Sequence, residues 1–327
     1  MDSTLISKCR PTLKLKLKPV KFVKPIKPVN PIKPKPIKPK PVKKSRHTQA
    51  VTITYGDQAE NHAGMQMIGK MRDRGMSIKE LRRAQAKFEQ EGYETELIDL
   101  HTGLSDEEQD LPGVDPAMVL VVRNGVEALL SETGGSADSM MVEQSALAPD
   151  GRAFMYGRVV NKHARTNLCF GDFSQEANFD EVKAGLAQEP PVKIKCQGTV
   201  VDFKDLPNTA EIRRRLPEYV GSDIVENLQA EGNYYFKPKV CGIGWHGDAE
   251  RRIVVAVRLG VSIPLHYHWF HWGKIIGERV SIELHHGDVY FMSDKATGYD
   301  WKKKKFATLR HSAGCDKFTK LNPKWSE

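Results

Sequence analysis

The apolar residues of this chain recur mostly in short β-branched runs, a pattern that favours strands. The clearest run, Ile-Val-Val-Ala-Val-Arg-Leu-Gly over residues 253–260, predicts a buried strand. A helical period is rarer. Ser77 and Glu80 have capping-box spacing ahead of a helix predicted over residues 78–90, and Gly92 follows as its stop. The pattern therefore predicts an α+β protein.

Four segments follow from these patterns. The composition of residues 1–47 predicts a disordered, basic tail rich in Lys and Pro. The pattern over residues 48–135 predicts a small α/β domain of unknown role. Residues 136–150 are rich in small and polar residues, which is typical of a linker. Residues 151–327 predict a separate third domain.

The elements expected within these segments are mainly strands. In the small domain they cover residues 51–55, 94–100 and 118–123. In the third segment a strand pair over 192–203 and a helix over 209–229 precede a dense series of short strands. A helix followed by about eight short strands is typical of a double-stranded β-helix, or jelly roll.

Charge is divided unevenly along the chain. Residues 1–46 carry 15 Lys/Arg and one Asp, whereas residues 47–327 carry 35 basic and 40 acidic side chains. Nine prolines within residues 11–44 predict an extended segment without a core. Such a tail is either a cationic arm for a polyanion such as nucleic acid or a solvated spacer.

The five cysteines are scattered and have no C-x-x-C spacing, which argues against a disulfide framework and a zinc site. No run approaches the ~18 apolar residues of a membrane span. We therefore expect an intracellular protein of the cytoplasm or nucleus that is neither secreted nor membrane-bound. The Lys/Pro tail resembles those of proteins of large DNA viruses. The sequence does not predict an oligomeric state.

The strongest chemical motif lies between two predicted strands. His246 and Asp248 form an H-x-D pair, and His311 follows some sixty residues later. Two imidazoles and one carboxylate are the ligand set of the facial triad, which holds Fe(II) and leaves positions open for a co-substrate and O2. These residues are the predicted metal ligands.

Over about residues 155–315 the chain resembles the AlkB-type Fe(II)/2-oxoglutarate-dependent dioxygenases. Four segments match motifs of that family and occur in the same order along the chain. They are residues 161–172, the N-x-Y strand at Asn233–Tyr235, the H-x-D-x-E-R segment at 245–251, and the Gly-Asp strand at 284–292. The resemblance implies that Asn233 and Tyr235 bind 2-oxoglutarate and that Glu250 takes part in catalysis by contacting a substrate base. It implies Fe(II), 2-oxoglutarate and O2 as cofactor and co-substrates.

One family feature is absent. The family's last strand usually carries an Arg that pairs with the distal carboxylate of 2-oxoglutarate, yet none of the sixteen residues after His311 is Arg. We expect Lys317 or Lys320 on a short final strand to replace it. In an alternative register Arg310 binds the co-substrate and the distal His is missing. Arg258 is the remaining candidate.

A cupin-type site is a second interpretation of the histidines. Gly260 followed by His266 and His268 reproduces the start of the first cupin motif, but its Glu is absent. The alternative for His266, His268 and His271 is a hydrogen-bonded aromatic cluster.

The expected function is oxidation of nucleic-acid bases, by dealkylation or hydroxylation, with nucleic acid as partner. Two alternatives stay open. One is a protein side-chain hydroxylase with the same iron centre, and the other is a non-enzymatic nucleic-acid-associated or virion component with a degenerate barrel.

Overall fold

Strands dominate the chain over residues 47–326, which a computed structural model describes. The predicted tail lies outside these residues, except for His47. The strands, numbered in chain order, are β1 Ala50–Gly56, β2 Gln58–Glu60, β3 Met67–Gly69, β4 Thr95–Asp99, β5 Met118–Val122, β6 Arg152–Met155, β7 Arg158–Asn161, β8 Thr166–Gly171, β9 Val200–Asp202, β10 Gln229–Tyr235, β11 Gly242–His246, β12 Val254–Gly260, β13 Leu265–His271, β14 Lys274–Ile282, β15 Val289–Met292 and β16 Thr308–Gly314.

Within residues 47–326 the helices are fewer than the strands and lie mostly before β10. They are α1 Ile78–Gln90, α2 Asp106–Gln109, α3 Gly125–Leu129, α4 Ala137–Ser145, α5 Phe179–Leu186, α6 Pro207–Val220 and α7 Asp316–Thr319. The prediction of an α+β protein is confirmed. Within the part of the chain described, no helix combines the length and apolar character needed to cross a membrane.

Helix α1 has the predicted bounds, and its capping box is present. The Ser77 hydroxyl accepts from the Glu80 backbone N–H at 3.3 Å, and the Glu80 carboxylate accepts from the Ser77 backbone N–H at 2.8 Å. Both bonds satisfy groups that a helix start otherwise leaves unpaired. Leu81 and Phe88 are buried on one face, which docks the helix on the core.

Two sheets organise the strands. The larger has eight strands in the order β4-β5-β15-β12-β1-β10-β8-β9, and the smaller has the order β11-β16-β13-β14. All pairings in both are antiparallel except that of β8 with β9.

Both faces of the larger sheet are covered. Successive residues of a strand point to opposite faces, so neighbouring residues of β12 contact different layers. On β12, Val255 and Val257 share an apolar cluster with Phe88 of α1. Val254 shares a second cluster with Trp269 of β13, in the smaller sheet. Helices therefore cover one face of the larger sheet, and the smaller sheet covers the other.

The predicted boundary between residues 48–135 and 151–327 is wrong. Strand β1 lies between β10 and β12, with Thr52 paired to Asn233 on one side and to Arg258 on the other. Strand β5 likewise pairs with β15, and residues 47–326 all belong to one compact unit. Local patterning identified these strands but carries no information on which distant strands they pair with.

Three local predictions also differ from the structure. The predicted linker over 136–150 contains α4, whose start is capped by Ser136. Helix α6 ends at Val220 rather than at 229, because Gly221 takes a left-handed conformation that stops it. Of the strand pair predicted over 192–203, only β9 forms.

The shared sheet leads to a prediction about fragments. Residues 151–327 produced alone should not unfold cooperatively, because β10 and β12 would each lose the strand between them and expose unpaired edges. Circular dichroism during thermal unfolding tests this against the full chain. A sharp transition of the fragment at the full chain's temperature would instead support the two-domain division.

Candidate metal centre and cavity

The structure brings the predicted triad together. His246 ends β11 and is paired directly with His311 of β16. Asp248 lies in the following loop, and its Oδ1 is 3.6 Å from His246 Nε2 and 3.5 Å from His311 Nε2. Ligand bonds of ~2.0–2.2 Å to one ion require donor atoms about this far apart. The three side chains can therefore hold one metal ion.

The residue between His246 and Asp248 must be small. A Cβ atom at Gly247 would lie 2.2 Å from the carbonyl oxygen of Gly298. The Asp248 backbone N–H donates to the carbonyl of Thr297 at 3.0 Å in the same loop. This close approach of two backbones fixes where the Asp248 carboxylate projects.

Hydrogen bonding sets the tautomer of His246. Its Nδ1 lies 2.7 Å from the carbonyl oxygen of Gly244, which can only accept, so Nδ1 carries the proton. The Nε2 lone pair is then directed at Asp248 and His311. This is the arrangement of a metal-ligating histidine whose second nitrogen is held by the backbone.

The ionisation states also suit a metal. Burial, and after it the nearby His311 ring, lower the pKa of His246 to about 4, so the imidazole is neutral at pH 7. Burial alone would raise the pKa of Asp248, but the His311 ring and the Arg251 guanidinium outweigh it and hold that pKa below its usual range. A neutral imidazole at His246 and an ionised carboxylate at Asp248 are the forms that bind cations.

A buried arginine supports this loop. Arg251 donates through Nη2 to Glu231 at 2.7 Å and to Glu250 at 2.8 Å, and its Nε is 3.9 Å from Asp248. Burial raises the pKa of Glu250. Because Arg251 contacts all three carboxylates, it restrains both Asp248 and Glu250 at the wall of the cavity described next.

The triad borders a cavity of about 510 Å³. Asn233 and Tyr235, the predicted 2-oxoglutarate contacts, line it together with Glu250 and Arg258. The cavity has the size of small-molecule sites, which span ~300–1,000 Å³.

Of the four basic residues predicted as possible anchors of the distal carboxylate, Arg258 lines this cavity. It is 1% exposed, and neither its Nε nor its Nη1 has a hydrogen-bond partner within residues 47–326. Thr52, its direct partner on β1, has a buried hydroxyl that also has no partner there. An unpaired buried guanidinium is strongly unfavourable, so this pair is suited to bind a carboxylate.

The other three candidate cations do not line the cavity, so the prediction of Lys317, Lys320 or Arg310 is wrong on position. Arg310 neighbours His311 on β16 and thus points to the opposite face, where its guanidinium is 3.9 Å from the ring centre of Phe270. Lys317 and Lys320 are exposed, and α7 stands where a final strand was expected.

The histidines of the cupin interpretation do not join Asp248. His266 Nδ1 is 2.8 Å from the hydroxyl of Ser281, and the His268 ring packs edge-on against Trp245. Within residues 47–326, neither they nor His271 belongs to a group that could hold a metal.

A second His-Asp-His group lies on the surface and was missed from sequence. His47 and His286 approach Asp138 at 3.5 and 3.2 Å. His286 Nδ1 accepts from the Gly260 backbone N–H at 2.9 Å, so in the neutral ring its Nε2 carries the proton. That tautomer presents a proton, not a lone pair, to Asp138, which disfavours a metal here.

Thr52 and Thr54 line the main cavity but were not predicted as site residues. The signal was present, since two threonines alternate with Val51, Ile53 and Tyr55 along β1. The alternation does not show that this polar face borders the metal ligands, because the sequence pattern places β1 in a different domain.

Comparison with known proteins identifies one extensive relationship. No protein-family model matches the chain. It is 43% identical over 272 residues to "Uncharacterized protein R156" of Acanthamoeba polyphaga mimivirus, an alignment that covers 83% of this chain and 98% of that protein.

Proposed function

We propose that this chain, which belongs to the family of that mimivirus protein, is an Fe(II)- and 2-oxoglutarate-dependent oxygenase that acts on nucleic-acid bases. One observation carries the proposal. A two-histidine, one-carboxylate group borders the same cavity as the buried Arg258, whose Nε and Nη1 have no hydrogen-bond partner within residues 47–326. Iron and a dicarboxylate co-substrate need these two features together.

The strand arrangement supports a double-stranded β-helix. Strands β15, β12, β1 and β10 face β11, β16, β13 and β14, which gives two four-stranded halves of a barrel. Seven of these strands follow one another from β10 to β16, whereas β1 precedes them. We infer that β1, between β10 and β12, occupies the position of the last strand of the AlkB-type family.

The chain's own residues have distinct tasks in this proposal. His246, Asp248 and His311 would hold the metal, with His246 binding through Nε2. Arg258 and Thr52 would bind the distal carboxylate of 2-oxoglutarate. Bound iron, with 2-oxoglutarate and O2, supplies oxidising power sufficient to attack a C–H bond.

The remaining wall of the cavity is suited to a polar substrate group. Asn233 Nδ2 donates to Glu231 at 3.0 Å, which fixes the amide beside the co-substrate residues. Glu250 borders the cavity two residues beyond Asp248, and Arg251 donates to its Oε1. A carboxyl group there could bind the exocyclic amine of a base.

Iron-dependent formation of succinate tests the proposed function. The chain is purified with a chelator, reloaded anaerobically with Fe(II), and given 2-oxoglutarate and O2 with or without alkylated oligonucleotides. Succinate should form slowly without substrate and at least several-fold faster with it. No succinate above the metal-free control would favour the non-enzymatic alternative, and stimulation by peptides alone would favour the protein hydroxylase.

A further inference from the structure

Four consecutive lysines, Lys302–Lys305, lie between Trp301 and Phe306 before β16, and we call them the lysine loop. All four are exposed. Within residues 47–326, none of their ammonium groups pairs with a carboxylate. Like charges this close repel one another. The loop is therefore a site of concentrated positive potential.

Exposed aromatic side chains accompany the loop. Trp272 is 61% exposed, and its backbone N–H donates to the Lys304 carbonyl at 2.7 Å. Phe306, at the loop's end, is 48% exposed. Large apolar rings exposed beside cations are an unusual surface, and they match the composition of sites on which bases stack.

The backbone at Trp272 is strained. Trp272 and Gly273 connect β13 to β14 as a two-residue turn, with φ of 53° and 79°. Asn-Gly is the usual pair for such a turn, since positive φ is unfavourable for a bulky residue. Strain of this kind is concentrated at functional positions, which favours a role for the exposed ring.

The lysine loop borders the candidate active site, because both Trp301 and Lys302 line the cavity. A second basic surface adjoins it. This surface, which we call the basic groove, has a volume of about 300 Å³, and it shares His62 and Arg165 with the cavity. Its other charged or titratable lining residues are Lys162, His163 and Lys317, with no Asp or Glu.

This distribution does not follow from overall charge. Residues 47–327 carry more acidic than basic side chains, 40 against 35. The lysine loop and the basic groove nevertheless bring seven Lys or Arg side chains to the borders of one cavity. The folded body thus has a polyanion-binding surface of its own, apart from the tail.

We propose that the lysine loop and the basic groove bind the backbone phosphates of single-stranded nucleic acid, next to the nucleotide whose base enters the cavity. The last clause rests on the proposed function. The preference for a single strand comes from Trp272 and Phe306, because rings stack on bases only where the bases are not stacked on each other. It also comes from the cavity, which a base inside a duplex cannot reach.

The test is fluorescence anisotropy of a labelled 12-nucleotide single strand with the full chain, as a function of salt. The triple variant Lys303→Gln, Lys304→Gln and Lys305→Gln should bind about 10-fold or more weakly at 100 mM salt. Its salt slope should fall by about 2, at roughly 0.7 per phosphate contact. Lys317→Gln should cost about fivefold, and Trp272→Ala should weaken the single strand about fivefold or more.

The matched control is Lys79→Gln, Lys183→Gln and Lys204→Gln, which removes three exposed charges that border neither the cavity nor the groove. Equal affinity and salt slope for the loop variant and this control would overturn the proposal. So would equal losses for single strand and duplex. Binding needs neither iron nor 2-oxoglutarate, so this result is independent of whether the succinate assay succeeds.

Discussion

Replacing either His246 or His311 by alanine should abolish iron-dependent succinate formation, with a loss of at least about a thousandfold. Each removes one of three ligands, and the two that remain cannot hold the ion in an open facial geometry. Isothermal titration of the metal-free protein with Mn²⁺ should show at least a 10- to 100-fold loss of affinity in both variants. The two measurements separate loss of metal from loss of chemistry.

His266→Ala is the matched control, because this histidine belonged to the competing cupin interpretation and its ring contacts Ser281 instead. It should keep Mn²⁺ affinity and succinate formation within about threefold of the unmodified chain. If His266→Ala lost the metal while His311→Ala retained it, the assignment of the triad would fail.

Arg258→Leu should raise the KM for 2-oxoglutarate by at least about 100-fold, because it removes a charge-assisted, two-point contact with the distal carboxylate. The same change should leave the ligand-free protein as stable as before, or more stable by ~1–3 kcal/mol. It replaces a buried guanidinium, two of whose nitrogens have no partner within residues 47–326, by an apolar side chain. Succinate kinetics and thermal unfolding measure the two effects.

Opposite signs for function and stability distinguish a ligand-binding residue from a structural one. Arg310→Leu provides the comparison, since this guanidinium packs on Phe270 away from the cavity. It should lower stability, because leucine cannot make the cation–π contacts of Arg310 with Phe270, Trp301 and Trp325, and it should change the KM for 2-oxoglutarate by no more than about threefold. An Arg258→Leu protein that unfolds more easily and keeps its KM would remove the co-substrate assignment.

Much of the local structure and the triad could be predicted from the sequence because their signals are short-ranged. The Ser77–Glu80 spacing defines the start of α1. His246 ends β11, and Asp248 follows it by only two residues, so the pair is visible as one short motif. The pairing of His246 with His311 spans a longer distance along the chain, and the order of the motifs that resemble AlkB-type dioxygenases predicts it.

The position of the proposed co-substrate anchor could not be predicted from the sequence. In the proposed double-stranded β-helix it depends on which strand completes the barrel, and pairing between distant strands leaves no periodic trace in either strand. The prediction of Lys317 or Lys320 requires the closing strand to come after His311 in the chain. Thr52 lies instead on β1, beside Arg258 of β12, so half of the predicted anchor region belongs to the beginning of the chain.

The position of β1 has a consequence for biosynthesis. Its partners Asn233 and Arg258 are about 200 residues further along, which at 5–20 residues per second takes the ribosome ~10–40 s to make. Throughout that interval the nascent chain carries an apolar strand whose two edges have none of their final partners. Such a strand can pair with other chains, so the protein must either fold β1 late or keep it covered by a chaperone until β12 has been synthesised.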